Sequence, residues 1–200
     1  MRRRERALGE LDPVMARLIA AAGPCTLEPR LERPPFESLA SAIAHQQLNG
    51  AVAKRILERF TALYAPAEFP EPAALAATSD EALRATGFSF AKIRALRDLA
   101  EKVIAGVVPA VAELHTLDND AIVERITQVR GIGRWTVEMM LMFRLGRPDV
   151  LPATDFGVRK GFSRVYGGEM PAPKDLLAYG ERWRPYRSVA SWYFWRISEL

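Results

Sequence analysis

Val129-Arg130-Gly131-Ile132-Gly133-Arg134-Trp135-Thr136 is the stretch whose reading decides the fold. Two glycines around a β-branched residue make a tight turn whose backbone can come close to another backbone. Helical periodicity flanks it, with Ile122, Val123 and Ile126 before the turn and Val137, Leu141 and Leu145 after it. The pattern reads as helix, hairpin, helix. The N–H groups that open the second helix then point outward, which suits a phosphate, and Ile132 is expected to anchor the hairpin in the core. A plain helix-turn-helix would use the same glycines for the turn alone, so the hairpin by itself leaves both readings open.

Outward from the hairpin the chain keeps the same period. Phe36, Leu39, Ile43 and Gln47 fall on one helical face, and Ala53, Ile56, Leu57, Phe60 and Leu63 on the next. Thr78 and Glu81 have capping-box spacing before Ala82 and Leu83. Ile93, Leu96, Ala100, Val103 and Ile104 form another stripe closed by Gly106, and Asp118 is placed to cap the helix that leads into the hairpin. Pro148 and Pro152 mark residues 146–155 as a loop. A helix is expected from about Phe156, another over Lys174 to Trp183, and a last one with Pro185 in its first turn. No segment alternates as a strand would. The expected fold is all-α, with roughly eight to ten helices by periodicity.

Composition narrows the function classes. Of 200 residues, 49% are hydrophobic and 26% charged, enough for a core and far from a disordered chain. Lys and Arg number 28 against 24 Asp and Glu, and the excess leans weakly toward a polyanionic partner. Cys25 is the single cysteine, which excludes an internal disulfide, a multi-thiolate zinc site and an iron–sulfur cluster held by four cysteines. His45 and His115 are too few and too far apart to suggest a histidine metal centre. Glu5, Glu10, Asp12 and Arg17 interrupt any signal-peptide core, and no apolar run reaches the ~18 residues of a membrane helix. The expected location is therefore cytoplasmic and nucleoid-associated, with no membrane contact.

Asp155, within Leu151-Pro152-Ala153-Thr154-Asp155-Phe156, lies nineteen residues beyond Thr136. An aspartate before a helix is ordinarily an N-cap. Its company suggests more. "AIAHQQLNGA" (42–51), "GFSFAKIRALRDLA" (87–100), "GIGRWTVEMML" (131–141), "LPATDF" (151–156) and "ERWRPYRSVASWYFW" (181–195) together resemble the DNA-3-methyladenine glycosylase II family of the helix-hairpin-helix (HhH-GPD) DNA glycosylase superfamily. The resemblance runs from about Pro35 to Trp195, and only ~30 residues precede it. The chain therefore resembles the short form, in which no N-terminal β domain is expected.

The resemblance implies one glycosylase domain of two helical lobes, one from about 36–145 and the other from the N-terminal segment plus about 146–200. The groove between them would bind double-stranded DNA containing damaged bases and hold Asp155, Trp135 and Trp195. It implies a monomer that flips an alkylated purine from the duplex. Asp155 would stabilise the oxocarbenium character of the sugar. Bifunctional relatives carry a lysine where Trp135 stands, so the chain should hydrolyse the glycosidic bond without cutting the strand. Trp135, Trp195 and Met139 would line the base pocket. His45, Gln46, Gln47 and Leu48 match the minor-groove loop, with either Gln47 or Leu48 as the wedge. Gly131, Gly133, Arg134 and Thr136 would face phosphate, as would Arg159 and Lys160. No cofactor is implied, apart from a structural cation that the hairpin carbonyls of Thr127, Val129 and Ile132 could hold. The rival expectations are a glycosylase for other damaged bases and a non-catalytic damage-binding protein on the same scaffold.

Overall fold

A computed structural model describes residues 2–29 and 34–198. Among them the chain is all-α, with thirteen helices, one 3-10 turn and no strand. In order they are α1 (Arg2–Leu11), α2 (Pro13–Ala22), α3 (Pro35–His45), α4 (Gly50–Ala62), α5 (Pro72–Ala77), α6 (Asp80–Ala85), α7 (Phe90–Ile104), α8 (Val111–Leu114), α9 (Asn119–Ile126), α10 (Arg134–Phe143), α11 (Phe156–Tyr166), α12 (Pro173–Gly180) and α13 (Arg187–Ser198), the 3-10 turn being Glu181–Trp183. The count exceeds the eight to ten expected. α5 and α8 are too short, at six and four residues, to display a 3.6-residue period, and α1 is largely charged.

Three boundaries differ from expectation. Ser79, not Thr78, caps α6 by accepting the Ala82 N–H, while Thr78 closes α5. α3 stops at His45, and Gln47 leaves the helical face it was expected to share, with a φ of 57°. Pro185 stands outside the first turn of α13, because the N–H groups of Val189 and Ala190 reach back to the Tyr186 carbonyl. Asp118 caps α9 as expected, accepting the Ala121 N–H.

Two compact units divide the chain: Glu32–Val137, and Met1–Leu31 with Glu138–Leu200. In the first, α7 is the central helix, packed against α3, α5 and α6. It buries Ile93, Ala95, Leu96, Leu99 and Ala100; each large aliphatic side chain removed from water stabilises by roughly 1.5–3 kcal/mol. Phe60 gathers Tyr64, Phe69 and Phe88 edge-on around it, at centroid distances of 5.4–5.7 Å. In the second unit α11 lies against α13 so closely that a Cβ on Gly161 would come 2.1 Å from the Phe194 carbonyl oxygen. Only glycine permits that approach. Trp183, fully buried, is ringed there by Phe162, Tyr166, Tyr179 and Phe194. No described helix is long and apolar enough to cross a membrane.

Candidate active site

Asp155 stands at the mouth of α11, at the end of a loop whose Leu151, Pro152 and Ala153 are buried. The Asp155 N–H donates to the Pro152 carbonyl at 2.9 Å, and the Val150 N–H donates to Ser188 Oγ at 3.0 Å. Arg187 of α13 pairs with Asp149 at 2.6 Å, so both ends of the loop are tied to their own unit. Asp155 does cap its helix: Oδ1 accepts the Val158 N–H at 2.8 Å. The same oxygen accepts the indole Nε1–H of Trp195 at 2.7 Å. Two donors on one oxygen fix the plane of the carboxylate, which is half-buried rather than sealed in the core.

Trp195 is itself held. Its ring stacks on Phe143, at 5.7 Å between centroids and 29° between planes. A Cβ on Gly157 would sit 2.8 Å from Trp195 Cδ1 and 3.2 Å from Asp155 Oδ1, so glycine is what leaves the indole room to reach the carboxylate. Sequence reasoning missed both Phe143 and Gly157. For Phe143 a signal existed: Trp135, Met139 and Phe143 repeat every fourth residue along α10 and so share one face. Trp135 and Phe143 are 47% and 36% exposed, unusual for large aromatic residues in a helix with this many apolar neighbours.

The hairpin belongs to the other unit. Ile132 is buried, as expected of the anchor, and its N–H donates to the Val129 carbonyl at 3.0 Å. Gly131 has a φ of 78°, which an L side chain rarely adopts, whereas Gly133 has an ordinary φ and a Cβ there would meet nothing within 4 Å. The N–H groups of Thr136 and Val137 both reach the Gly133 carbonyl, so this glycine starts α10 at an exposed corner. Helix starts present N–H groups without intrahelical acceptors.

At the end of α3, His45 Nδ1 donates to the Ser41 carbonyl at 2.8 Å, and Asn49 caps α4. Between them Gln47 and Leu48 are exposed, and Gln47 is the only non-glycine residue with positive φ among the described residues. Such strain concentrates at functional positions. Gln46, expected at DNA, donates its amide to the Gly131 carbonyl at 2.8 Å. Arg159 and Lys160 donate to the carbonyls of Pro171 and Ser198 of their own unit. Arg134 lies 3.7 Å from Asp120, with both side chains largely exposed.

No group of three His, Cys, Asp or Glu side chains among the described residues is placed to hold a metal. Burial pushes the Cys25 thiol up to about 11, so at neutral pH it is a poor nucleophile.

A family model described as "HhH-GPD superfamily base excision DNA repair protein" matches residues 40–185. DNA-3-methyladenine glycosylase 1 of Schizosaccharomyces pombe is 38% identical over 195 residues, covering 96% of this chain and 86% of its own length. The structure of the 3-methyladenine DNA glycosylase Mag1 of that yeast in complex with abasic DNA superposes with a TM-score of 0.83 at 37% identity, over 99% of this chain and 97% of the other. A DNA-3-methyladenine glycosidase of Bacillus halodurans superposes with a TM-score of 0.87 at 36% identity, over 96% and 87%.

Proposed function

The chain belongs to the HhH-GPD superfamily of base excision DNA repair proteins, and from that premise we propose that it is a monofunctional glycosylase that hydrolyses the N-glycosidic bond of alkylated purines in double-stranded DNA. The observation that carries this reading is the doubly held carboxylate of Asp155 beside the Trp195–Phe143 stack. A purine alkylated at N3 or N7 is positively charged and leaves as a neutral base, so no general acid is needed. The step that needs help is the build-up of positive charge on the sugar. A fixed carboxylate beside C1′ stabilises it, and does so without reorganising during the reaction.

The other candidates take roles consistent with that step. An exposed aromatic face at Trp135, with Met139 and Phe143 below it on α10, offers π surface to a cationic base. Gln47, exposed and in the left-handed backbone region, is the wedge that fills the gap in the stack in this reading, with Leu48 beside it. The Gly133 corner takes a phosphate, with Arg134 and Thr136 in the first turn of α10 beside it and His45 at the end of α3 next to the wedge loop. The carbonyls of Thr127, Val129 and Ile132 are the candidates for a cation bridging the turn to DNA. That of Val129 already accepts one N–H and has a second lone pair to offer. The chain acts as a monomer in this reading.

Release of free base from methylated duplex DNA tests the proposal. Free 3-methyladenine or 7-methylguanine should appear while the strand stays intact until alkali is added, and borohydride should trap no covalent adduct. DNA binding without release would make the chain a damage-binding protein instead.

Gly133→Ala tests the phosphate corner. The methyl would meet no protein atom, and the loss of a good N-cap costs about 1 kcal/mol at most. Where it would meet a phosphate, affinity should fall about tenfold, the value of one hydrogen bond to a charged group. Undamaged, abasic and lesion-bearing duplexes should suffer alike, because phosphate contacts carry no base information. Unchanged affinity in a binding titration would remove Gly133 from the DNA surface.

A further inference from the structure

The last turn of α3, which leads into the Gln46–Leu48 loop, and the hairpin after α9 are far apart in sequence, yet one face of α7 touches both. Lys92, Ala95 and Asp98 follow each other at three-residue steps along it. Lys92 Nζ donates to the Ala44 carbonyl at 2.7 Å, at the last turn of α3. Ala95 Cβ lies 3.7 Å from where a Gly131 Cβ would be, so the hairpin glycine is seated on it. Asp98 Oδ2 accepts the backbone N–H of Arg130 at 2.6 Å, and its Oδ1 accepts from Lys102 at 2.6 Å. Gln46 then closes the circuit by donating to the Gly131 carbonyl from the wedge loop itself.

This arrangement holds two backbone polar groups of one short turn. The N–H of Arg130 and the C=O of Gly131 are each satisfied by a side chain from another element, at separations of 32 and 85 residues. Neither bond is needed to form the helices, which have their own caps at Asp118 and Asn49. What the bonds fix is the position of the Gln47 wedge relative to the Gly133 phosphate corner. Burial alone would raise the Asp98 carboxyl; the Lys102 ammonium and the Arg130 N–H reverse this and hold it below the usual carboxylate range.

We infer that Asp98 and Gln46 are positioning residues, which lock the wedge loop in register with the phosphate-binding hairpin so that gripping the backbone and extruding the base are one rigid event. The inference rests on the glycosylase reading for its purpose. Its geometry stands apart from the Asp155 chemistry. If it holds, losing either bond leaves the hairpin's N–H groups available to phosphate but lets wedge loop and hairpin shift against each other, and a misplacement of about 1 Å can cost on the order of 10²-fold in rate.

The 200-residue chain would be mixed with a methylated duplex carrying 2-aminopurine beside the lesion, and three quantities read: affinity for undamaged duplex, the rate of the fluorescence rise on extrusion, and single-turnover release of base. Gln46→Met keeps the length but not the donor, and Asp98→Ala removes the acceptor. Both should slow extrusion and release together, on the order of 10²-fold, with affinity for undamaged DNA close to that of the unaltered chain. The double variant should be little worse than the worse single one, because both bonds hold the same turn. Asp98→Asn, which still offers an oxygen to the Arg130 N–H, should recover most of the rate, and thermal melts would separate positioning from misfolding. Normal extrusion by Gln46→Met would overturn the inference. So would effects that multiply in the double variant, affinity lost in step with extrusion, or no recovery in Asp98→Asn. Extrusion is read without cleavage: an unaltered chain that extrudes but releases no base would refute the glycosylase and leave the lock standing.

Discussion

Asp155→Asn is expected to slow single-turnover base excision by about 10²–10³-fold, or roughly 3–4 kcal/mol of barrier, while the thermal melt hardly moves. Asp155 Oδ1 has two jobs in holding the fold, accepting the Val158 N–H and the Trp195 indole N–H. An asparagine oxygen can do both, and asparagine caps helices about as well as aspartate. What is removed is the charge. Affinity for a duplex with an abasic analogue should persist, since the hairpin and the wedge loop belong to elements untouched by the change. Near-normal excision by the variant would leave Asp155 as a cap alone and the mechanism without its anion.

The cap and the catalytic carboxylate were alternatives when only the sequence was in view; the structure makes the cap a fact and leaves the second role compatible with it. The hairpin was legible because its signals are local: two glycines, flanking helical stripes and an Asp118 cap within twenty residues. The Thr78–Ser79 pair shows the limit of such signals, since both residues can cap and only the backbone decides between them. The circuit through Gln46 and Asp98 had no local signature at all. Gln46 looked like one more polar residue in a loop, and the carbonyl it serves lies 85 residues away. Phe143 was hidden differently, as an apolar residue in an apolar helix, and only its exposure and its stack on Trp195 single it out.

The largest effect on stability is expected at Asp12, a residue that sequence reading used only to exclude a signal peptide. It is 4% exposed, and four donors converge on it. Oδ1 caps α2 through the Val14 and Met15 N–H groups, while Oδ2 accepts the Tyr166 hydroxyl at 2.7 Å and the buried Trp183 indole N–H at 2.9 Å. Tyr166 is the last residue of α11, so this carboxylate holds the far end of the helix whose mouth carries Asp155. Asp12→Ala would strand two side-chain donors and uncap α2, at about 4–6 kcal/mol together, a large part of a typical domain's 5–15. Asp12→Asn should recover the cap but leave the Trp183 indole unpaired, because its amide N–H would meet an indole that can only donate, while the Tyr166 hydroxyl can turn to accept. The charge also sets a pH limb. Burial alone would raise the Asp12 carboxyl, but the indole, the phenol and the two N–H groups outweigh it and hold the group below its ordinary 3.8. Its stabilisation is therefore complete above that ordinary value and disappears as pH falls through the lower folded one. Urea titrations stepped downward from pH 5 should show the unaltered chain losing stability there, and Asp12→Asn losing less over the same range. An Asp12→Ala chain within about 1 kcal/mol of the unaltered one at neutral pH would show that the convergence is not what holds α11 in place.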